Sequence, residues 1–565
     1  MGRETVGVPT LYDNNTPVTT DEGKADLMNE KFEDAFTSEH LANIPDLGIS
    51  PYPSCPEICF TTNGVEKLLN KLQPHKAAGP DALPPRILKE LAHEIAPSLS
   101  IIFQQIYDTG STPRDWRDAL VTPVHKKGAK HDTGNYRPVS LTSIVSKINE
   151  HILCSAMMHH FSENNILDPD QHGFRQGLST ETQLISSIHD WASAINAKGQ
   201  TDVVFLDFLK AFDSVPHRRL LEKLRYYGVD GKLNRLLGGL LQDRRQRVVV
   251  NGSKSSWVPV RSGVPQGTVI GPILFLAYIN DIKSGIQSDM RLFADDSIIY
   301  RKINSDEDQR VLSEDLKKLQ NWAEKWQMIF KPEKCFVMNI TNRRNPSLYT
   351  YSMSDTPLSV VKSLKYLGIF IDNNLNFNEH CDKLRKKAHS ALAILQRTLY
   401  AAPQNCKKIA YQSLVRPKLE YASTAWNPQS VTKIKKLEQI QNKAARFVTR
   451  SYDRDTSATA LKRDLGWPDL AKRRELRDCT MWYKIHYGFV LLPFPSGVVR
   501  KPRLAKDDHN LAYLQLNPRI NSFKFSYFVR TIISWNSLSA QAVAAPNAEV
   551  FLTLASAQLL GCGQP

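Results

Sequence analysis

This sequence has no apolar run long enough to cross a membrane and no cysteine pattern of a disulfide framework. Its longest apolar candidate, residues 273–279, falls far short of the roughly 20 residues that a span needs, so it predicts a core helix. The eight cysteines are scattered, and no Cys/His pair follows Cys55 and Cys59 at zinc-site spacing. The first residues also lack the apolar region of a signal peptide. These absences predict an intracellular protein with no membrane partner and no zinc site.

The chain is long and strongly basic. Its 565 residues exceed one typical domain, so several structural units are expected. It has 73 Lys and Arg against 57 Asp and Glu, which gives a formal charge of +16. Because such an excess attracts polyanions, nucleic acid is the favoured partner, ahead of an anionic membrane surface.

Two adjacent carboxylates stand between strand-forming runs in Arg-Leu-Phe-Ala-Asp-Asp-Ser-Ile-Ile-Tyr, residues 291–300. The apolar runs predict two strands, and Ala-Asp-Asp predicts the hairpin bend between them. Asp295 and Asp296 would repel each other unless a divalent cation such as Mg²⁺, which prefers carboxylate oxygens, were bound there. Taken alone, a metal site and a solvated hairpin are equally good interpretations.

A second acidic strand lies upstream. Asp207 follows four consecutive apolar residues, as at the exit of a buried central strand. Chemistry that joins nucleotides uses two metals about 4 Å apart, held by carboxylates from at least two segments of backbone. Asp207 with Asp295 and Asp296 supplies such a set. The alternative is that Asp207 only caps the following helix.

A glycine-rich loop, residues 261–272, lies between the two acidic strands. Gly263, Gly267 and Gly271 would let the backbone come close to a bound base or sugar. Pro272 suits the first turn of the helix predicted after it. Ordinary loops can look similar, so the indication comes from the acidic segments on either side.

These motifs together resemble the palm of a reverse transcriptase. They are Phe-Leu-Asp-x₃-Ala-Phe-Asp at 205–213, Ser-Gly-Val-Pro-Gln-Gly at 262–267 and Phe-Ala-Asp-Asp at 293–296. More narrowly, the chain resembles the jockey-like polymerases of non-LTR retrotransposons. The similarity continues through segments 76–81, 135–141, 171–177, 365–368 and 437–441. Complete members carry an endonuclease domain before the polymerase, for which this sequence has no room, so a truncated gene model or decayed element copy is expected.

The resemblance implies an α+β fold shaped like a right hand, with fingers, a palm carrying a small antiparallel sheet, and a helical thumb. A mostly helical C-terminal region would follow. The expected division is a linker over 1–60, fingers and palm over 61–340, a primer-grip hairpin and thumb over 341–450, and a C-terminal region of unknown role over 451–565.

The resemblance also assigns roles to single residues. Asp207 and Asp295 match the two principal metal ligands, with Asp296 beside them as a secondary ligand. Phe212 matches an aromatic residue under the sugar of the incoming nucleotide, where a ring excludes a ribose 2′-hydroxyl; a core aromatic is the alternative. Lys334 matches a lysine that donates a proton to pyrophosphate, although a plain surface lysine fits the same segment.

Further matched positions contact the template and the triphosphate. Gln266 and Gly267 match the loop that contacts the template base and the nascent pair. The positions expected to hold the triphosphate, where a guanidinium fork suits phosphate oxygens, are Arg137, one of Lys126 and Lys127, and Arg175. A surface salt bridge is an equal alternative for Arg175.

The implied activity is RNA-directed DNA polymerisation, the extension of a primer 3′-hydroxyl with dNTPs. It requires two Mg²⁺ ions, which Mn²⁺ can replace, an RNA template and a DNA primer. The resemblance implies a nuclear or cytoplasmic ribonucleoprotein. One alternative is a catalytically silent or domesticated nucleic-acid-binding remnant with the same fold, which would bind without synthesis. Another, a group II intron maturase-like enzyme, requires an intron-binding helix set that residues 451–565 do not indicate.

Overall fold

The computed structural model describes residues 7–453, 455–506 and 508–561. The chain forms two compact units, each assembled from several stretches of sequence. The first comprises Met1–Phe174, Asp207–Ile286 and Leu316–Lys331, and the second comprises Arg175–Leu206, Gln287–Asp315 and Pro332–Pro565. Each unit combines helices with a five-stranded sheet, so the predicted α+β class is confirmed. The predicted four-segment division stays a prediction.

The sheet of the first unit has one face packed against a helix. Its strand order is Tyr136–Leu141, Asp118–His125, Arg245–Val250 and Ser253–Lys254, with Val258–Pro259 also paired to Arg245–Val250. Alternate residues such as Val121 and Val248 point to one side, where they join Met28 and Phe32 in a buried cluster. The period of two places these apolar side chains together on one face, and the helix Asp21–Glu33 covers it.

The other elements of the first unit are a short hairpin and a set of helices. The hairpin pairs Leu11–Asp13 with Thr16–Val18. The helices are Thr62–Asn70, Pro85–Glu90, Ala92–Thr109, Arg114–Arg117, Ile144–Glu163, Ala211–Ser214, His217–Tyr226, Gly231–Leu241 and Gly271–Ile279, with short 3₁₀ turns at Leu41–Asn43 and Thr133–Asn135. The helix Asp306–Lys325 begins in the second unit and ends in the first.

The sheet of the second unit contains the acidic hairpin. Its order is Ser359–Val360, Phe336–Thr341, Gln200–Leu206, Asp296–Ile303 and Asp289–Phe293, with antiparallel pairs except at the first edge. The central strand Gln200–Leu206 is buried along its whole length. This explains its run of Val and Phe, because a strand between two partners buries both faces when helices cover it. Two further hairpins pair Ser352–Met353 with Thr356–Pro357 and Ser363–Tyr366 with Ile369–Asp372.

Helices make up the rest of the second unit. They are Thr180–Asn196, Asn378–Thr398, Gln404–Leu414, Arg416–Glu420, Val431–Thr449, Ala458–Asp464, Leu470–His486, Asn521–Lys524, Tyr527–Asn536, Ala540–Val543 and Ala548–Leu560, with a 3₁₀ turn at Pro332–Lys334. One buried cluster joins Val203 and Met338 of the sheet with Trp426, Trp482 and Trp535 of these helices. In the described part of the chain, no helix is both long and apolar enough to cross a membrane.

Candidate functional site

The two adjacent aspartates lie at a two-residue hairpin in the second unit. Phe293 pairs with Asp296, which leaves Ala294 and Asp295 as the turn. Ala294 has φ +53°, a left-handed conformation that costs a non-glycine residue roughly 1–3 kcal/mol and is common at functional sites. Asp295 is half-buried, and Asp296 is exposed at the first position of its strand. The predicted hairpin is therefore confirmed, although Asp296 belongs to a strand.

The strand register relates this hairpin to the second acidic segment. Ser297 lies opposite Leu206; Asp296 comes just before Ser297, and Asp207 just after Leu206. In the described residues, no group of three or more His, Cys, Asp or Glu side chains is arranged to hold a metal ion. Mg²⁺ in nucleotide-handling sites is usually held by one or two carboxylates together with substrate phosphates. The predicted Mg²⁺ ligands Asp207, Asp295 and Asp296 therefore stay a prediction.

The backbone around Asp207 is fixed within the first unit. Its carbonyl oxygen accepts a hydrogen bond from the Lys331 N–H at 2.8 Å. The next residue, Phe208, forms an isolated bridge with Phe330, and the two rings stack with centroids 4.3 Å apart. Asp207 is half-buried. Asp207 therefore comes directly after the buried strand Gln200–Leu206, as the sequence predicts, and its backbone is hydrogen-bonded to Lys331.

The glycine-rich loop is tied to two neighbouring segments of the first unit. The Ser140 N–H donates to the Gln266 carbonyl at 2.8 Å, and the Gly263 N–H donates to the Val215 carbonyl at 2.7 Å. Gly267 has φ +104°, and a Cβ there would stand 2.6 Å from the Ser140 carbonyl oxygen. Only glycine allows this approach. The close approach at Gly267 is to the strand that contains Ser140, and the predicted approach of the loop to a bound base or sugar stays a prediction.

The end of the same loop is anchored by Glu150, a residue that lies in none of the motifs and that sequence reasoning missed. Its buried carboxylate accepts from the Val269 N–H at 2.8 Å, the Ile270 N–H at 3.2 Å and the Ser146 hydroxyl at 3.2 Å. Burial raises the pKa of Glu150, and the two backbone donors oppose that rise. Because these donors precede the helix Gly271–Ile279, Glu150 fixes where the loop turns into that helix.

Asp213 contacts the middle of the loop. Its Oδ1 accepts a hydrogen bond from Nε2 of Gln266 at 3.0 Å, and its backbone carbonyl accepts from the Ser262 hydroxyl at 2.7 Å. Burial raises the pKa of Asp213 to about 6, against the lowering effects of Gln266 and Lys210. Asp213 ends the motif at 205–213 that contains Asp207, but its contact with Gln266 was missed because the two residues are distant in sequence.

Phe212 lies beside this loop and packs against a neighbouring helix. Its ring stacks on Phe275 with centroids 4.3 Å apart and planes 16° apart, and the ring of Phe174 lies edge-on at 6.3 Å. Its carbonyl accepts from the Val264 N–H at 2.7 Å. The ring is half-buried, so its packing satisfies the core-aromatic interpretation while leaving an accessible part.

The basic residues predicted to hold the triphosphate divide between the units. Lys126, Lys127 and Arg137 are exposed in the first unit; the two lysines follow the strand Asp118–His125, and Arg137 is the second residue of the strand Tyr136–Leu141. Val124 pairs with Arg137, and the Lys126 N–H donates to the Asn135 carbonyl at 2.8 Å. In the second unit, Arg175 is half-buried, and Lys334, predicted as the proton donor to pyrophosphate, is exposed at a 3₁₀ turn. The first three therefore lie near the same end of one strand pair.

Comparison with known proteins identifies this region. Residues 124–371 match the family described as Reverse transcriptase (RNA-dependent DNA polymerase). The chain carries a reverse transcriptase domain, and its sequence is similar to those of jockey-like polymerases. It is 28% identical over 468 residues to the "RNA-directed DNA polymerase from mobile element jockey" of Drosophila melanogaster, covering 78% of this chain and 51% of the relative.

Two further relatives agree. The chain is 26% identical over 496 residues to the "Probable RNA-directed DNA polymerase from transposon X-element" of Drosophila melanogaster, covering 81% of this chain and 52% of the relative. It is 28% identical over 405 residues to the "RNA-directed DNA polymerase from mobile element jockey" of Drosophila funebris, covering 69% of this chain and 44% of the relative. The chain thus spans about half the length of these relatives. Every predicted site residue, from Lys126 to Lys334, lies in the reverse transcriptase domain.

The domain also contains the hairpin predicted to grip the primer. Leu367 and Gly368 form its two-residue turn, with φ +42° and +89°. Positive φ at both positions matches the strand twist of a tight hairpin. The hydroxyl of Tyr366 accepts from Nε2 of Gln183 at 3.0 Å, which fixes the hairpin to the helix Thr180–Asn196.

Proposed function

We propose that this protein is an RNA-directed DNA polymerase of a non-LTR retrotransposon, with an RNA template, a DNA primer and dNTPs as its substrates. The observation that carries the proposal is the register of Leu206 opposite Ser297, because each of these residues adjoins an aspartate of a reverse transcriptase motif. The right-hand arrangement of fingers, palm and thumb belongs to the same proposal.

The chain's own residues suit nucleotidyl transfer. Asp207 and Asp295 would hold two Mg²⁺ ions, which activate the primer hydroxyl and neutralise the leaving pyrophosphate when bound. Asp296 adds negative charge beside them. Arg137 and one of Lys126 and Lys127 donate to phosphate oxygens, with Arg175 as a further donor, and Lys334 donates a proton to the pyrophosphate. Positioning and charge neutralisation then supply most of the rate enhancement.

Primer extension on an RNA template with Mg²⁺ and dNTPs tests this function. The unmutated protein should extend the primer, and Asp295→Asn should lower the rate about a hundredfold or more, as for the loss of a major electrostatic group. Asp355→Asn is the matched control, because Asp355 is an exposed carboxylate in another two-residue hairpin of the same unit. Nucleic-acid binding without extension by the unmutated protein would support the silent remnant instead.

The packing of Phe212 supports a role in sugar selection. Phe275 supports one side of the ring, so the ring can exclude a 2′-hydroxyl without moving. Phe212→Val should raise ribonucleotide incorporation relative to deoxynucleotide incorporation at least roughly tenfold, the size of effect typical of a reshaped pocket. The measurement is the ratio of kcat/KM for the two nucleotides. Phe103→Val, which also removes a buried ring, should leave that ratio unchanged; equal changes in both variants would reject the role.

A further inference from the structure

The hydrogen bond between Asp213 and Gln266 determines how the Gln266 amide is oriented: its nitrogen faces the Asp213 carboxylate and its oxygen faces the opposite way. An ionised carboxylate can only accept hydrogen bonds, whereas an amide offers both a donor nitrogen and an acceptor oxygen. Because Nε2 of Gln266 donates to Oδ1 of Asp213 at 3.0 Å, the carbonyl oxygen Oε1 must point away from the carboxylate. The orientation therefore follows from chemistry and does not depend on telling N from O.

Asp213 is itself held firmly. Its backbone carbonyl accepts from the Ser262 hydroxyl at 2.7 Å. A Cβ on Gly263 would stand 2.7 Å from the same carbonyl oxygen, so the loop passes directly against it. The Gln266 backbone is held from the other side by the Ser140 N–H at 2.8 Å. The backbones of Asp213 and Gln266 are thus both held by hydrogen bonds. The Gln266 amide then satisfies the carboxylate in only one orientation, with its nitrogen towards Asp213.

We propose that Asp213 is a positioning residue that locks Gln266 with its carbonyl oxygen presented as a hydrogen-bond acceptor to the incoming deoxynucleotide or its base pair. This rests on the proposed function and assigns a role to a residue that is neither a predicted metal ligand nor a predicted phosphate contact. Burial raises the pKa of Asp213 only to about 6, so the carboxyl is ionised at neutral pH and the lock holds there. Protonation would weaken the lock, because the neutral acid can donate to the amide oxygen.

Reversing the polarity of the pair tests the lock. Gln266→Glu sets two carboxylates against each other and should weaken dNTP binding roughly tenfold, the cost of a lost charge-assisted hydrogen bond. In the double variant Asp213→Asn/Gln266→Glu, the amide at position 213 donates to the carboxylate at position 266. The second oxygen of that carboxylate then takes the place of the Gln266 carbonyl oxygen as the acceptor facing away from residue 213. This variant should recover to within about threefold of the unmutated protein. Gln266→Met, which keeps the bulk without an acceptor, should stay weakened, and its Tm should also fall because the buried Asp213 carboxylate loses its donor.

Binding of dNTP to the complex with template and primer is measured by thermal shift, with Ca²⁺ replacing Mg²⁺ so that no turnover is needed. A double variant no better than Gln266→Glu, or a Gln266→Met variant that binds like the unmutated protein, overturns the inference. Binding without primer extension in Mg²⁺ overturns the proposed polymerase alone. Absence of dNTP binding by the unmutated protein overturns both.

Discussion

Burial raises the pKa of Asp213 from an ordinary value of 3.8 to about 6, so this residue links stability to pH. Between these two values the folded protein binds a proton that the unfolded chain has released. The stability contributed by the protonated carboxyl is fully present below pH 3.8 and is lost as the pH rises through about 6. At neutral pH the charged Asp213 therefore destabilises the fold while it orients Gln266.

Asp213→Asn should consequently raise Tm at pH 7.5, because it removes a buried charge and keeps the shape. The gain over the unmutated protein should shrink towards pH 4.5, where Asp213 is protonated in the folded state. Differential scanning calorimetry at both pH values measures this. A Tm gain that grows towards low pH would contradict the direction of the pKa change. If the variant gains Tm and also loses dNTP affinity, the charged Asp213 orients Gln266 at a cost in stability.

Residue contacts divide sharply into those that the sequence could predict and those that it could not. Asp207, Asp295 and Asp296 could be predicted as site residues because each lies in a short motif with local strand patterns around it. Gln266 and Asp213 are 53 positions apart, and Glu150 is 119 positions from Val269. Pairings at such separations depend on how whole elements pack, and a periodicity of 2 or 3.6 carries no information about them.

At the scale of elements, the loop 261–270 depends on one close approach between backbones. Gly267→Ala should strain a residue at φ +104° and push its Cβ into the Ser140 carbonyl, breaking the hydrogen bond from Ser140 to Gln266. The free energy of unfolding should fall by roughly 2–4 kcal/mol, and primer extension should fall with it.

The control Gly252→Ala distinguishes the cost of a positive φ from the cost of a steric clash between the new Cβ and the backbone. Gly252 has φ +93° in the same unit, but a Cβ there would meet nothing within 4 Å. Its cost should be limited to roughly 1 kcal/mol of backbone strain, and primer extension should be unchanged. Urea denaturation of the two variants gives the comparison; equal losses would mean that the contact with Ser140 contributes nothing.

Hairpins were the elements that the sequence predicted best. The turn at Ala294 and Asp295 and the turn at Leu367 and Gly368 each join strands that are adjacent in sequence, so local patterns determine them. The sheet order was not predictable in the same way. The strand Gln200–Leu206 lies between Phe336–Thr341 and Asp296–Ile303, and both partners are about a hundred residues or more away, where turn chemistry has no influence.

At the scale of the whole molecule, each compact unit is assembled from three separate stretches of the sequence. The second unit takes its central strand from one stretch, its acidic hairpin from another and most of its helices from a third. Its buried cluster runs from Val203 and Met338 to Trp482, Trp535 and Phe551. Because side chains in one core unfold together, residues 451–565 should share a cooperative transition with the sheet that carries Asp295 and Asp296.

Two adjacent isoleucines in the helix Tyr527–Asn536 test that coupling. Ile532 is 0% exposed and Ile533 is 54% exposed. Ile532→Ser should cost roughly 3–5 kcal/mol, since it leaves a cavity and buries a hydroxyl, whereas Ile533→Ser should be nearly neutral. Hydrogen exchange followed by mass spectrometry should show faster exchange in the strands Gln200–Leu206 and Asp296–Ile303 of the first variant. Exchange that accelerates only within 451–561 would mean that the C-terminal helices unfold alone, with the acidic hairpin unaffected.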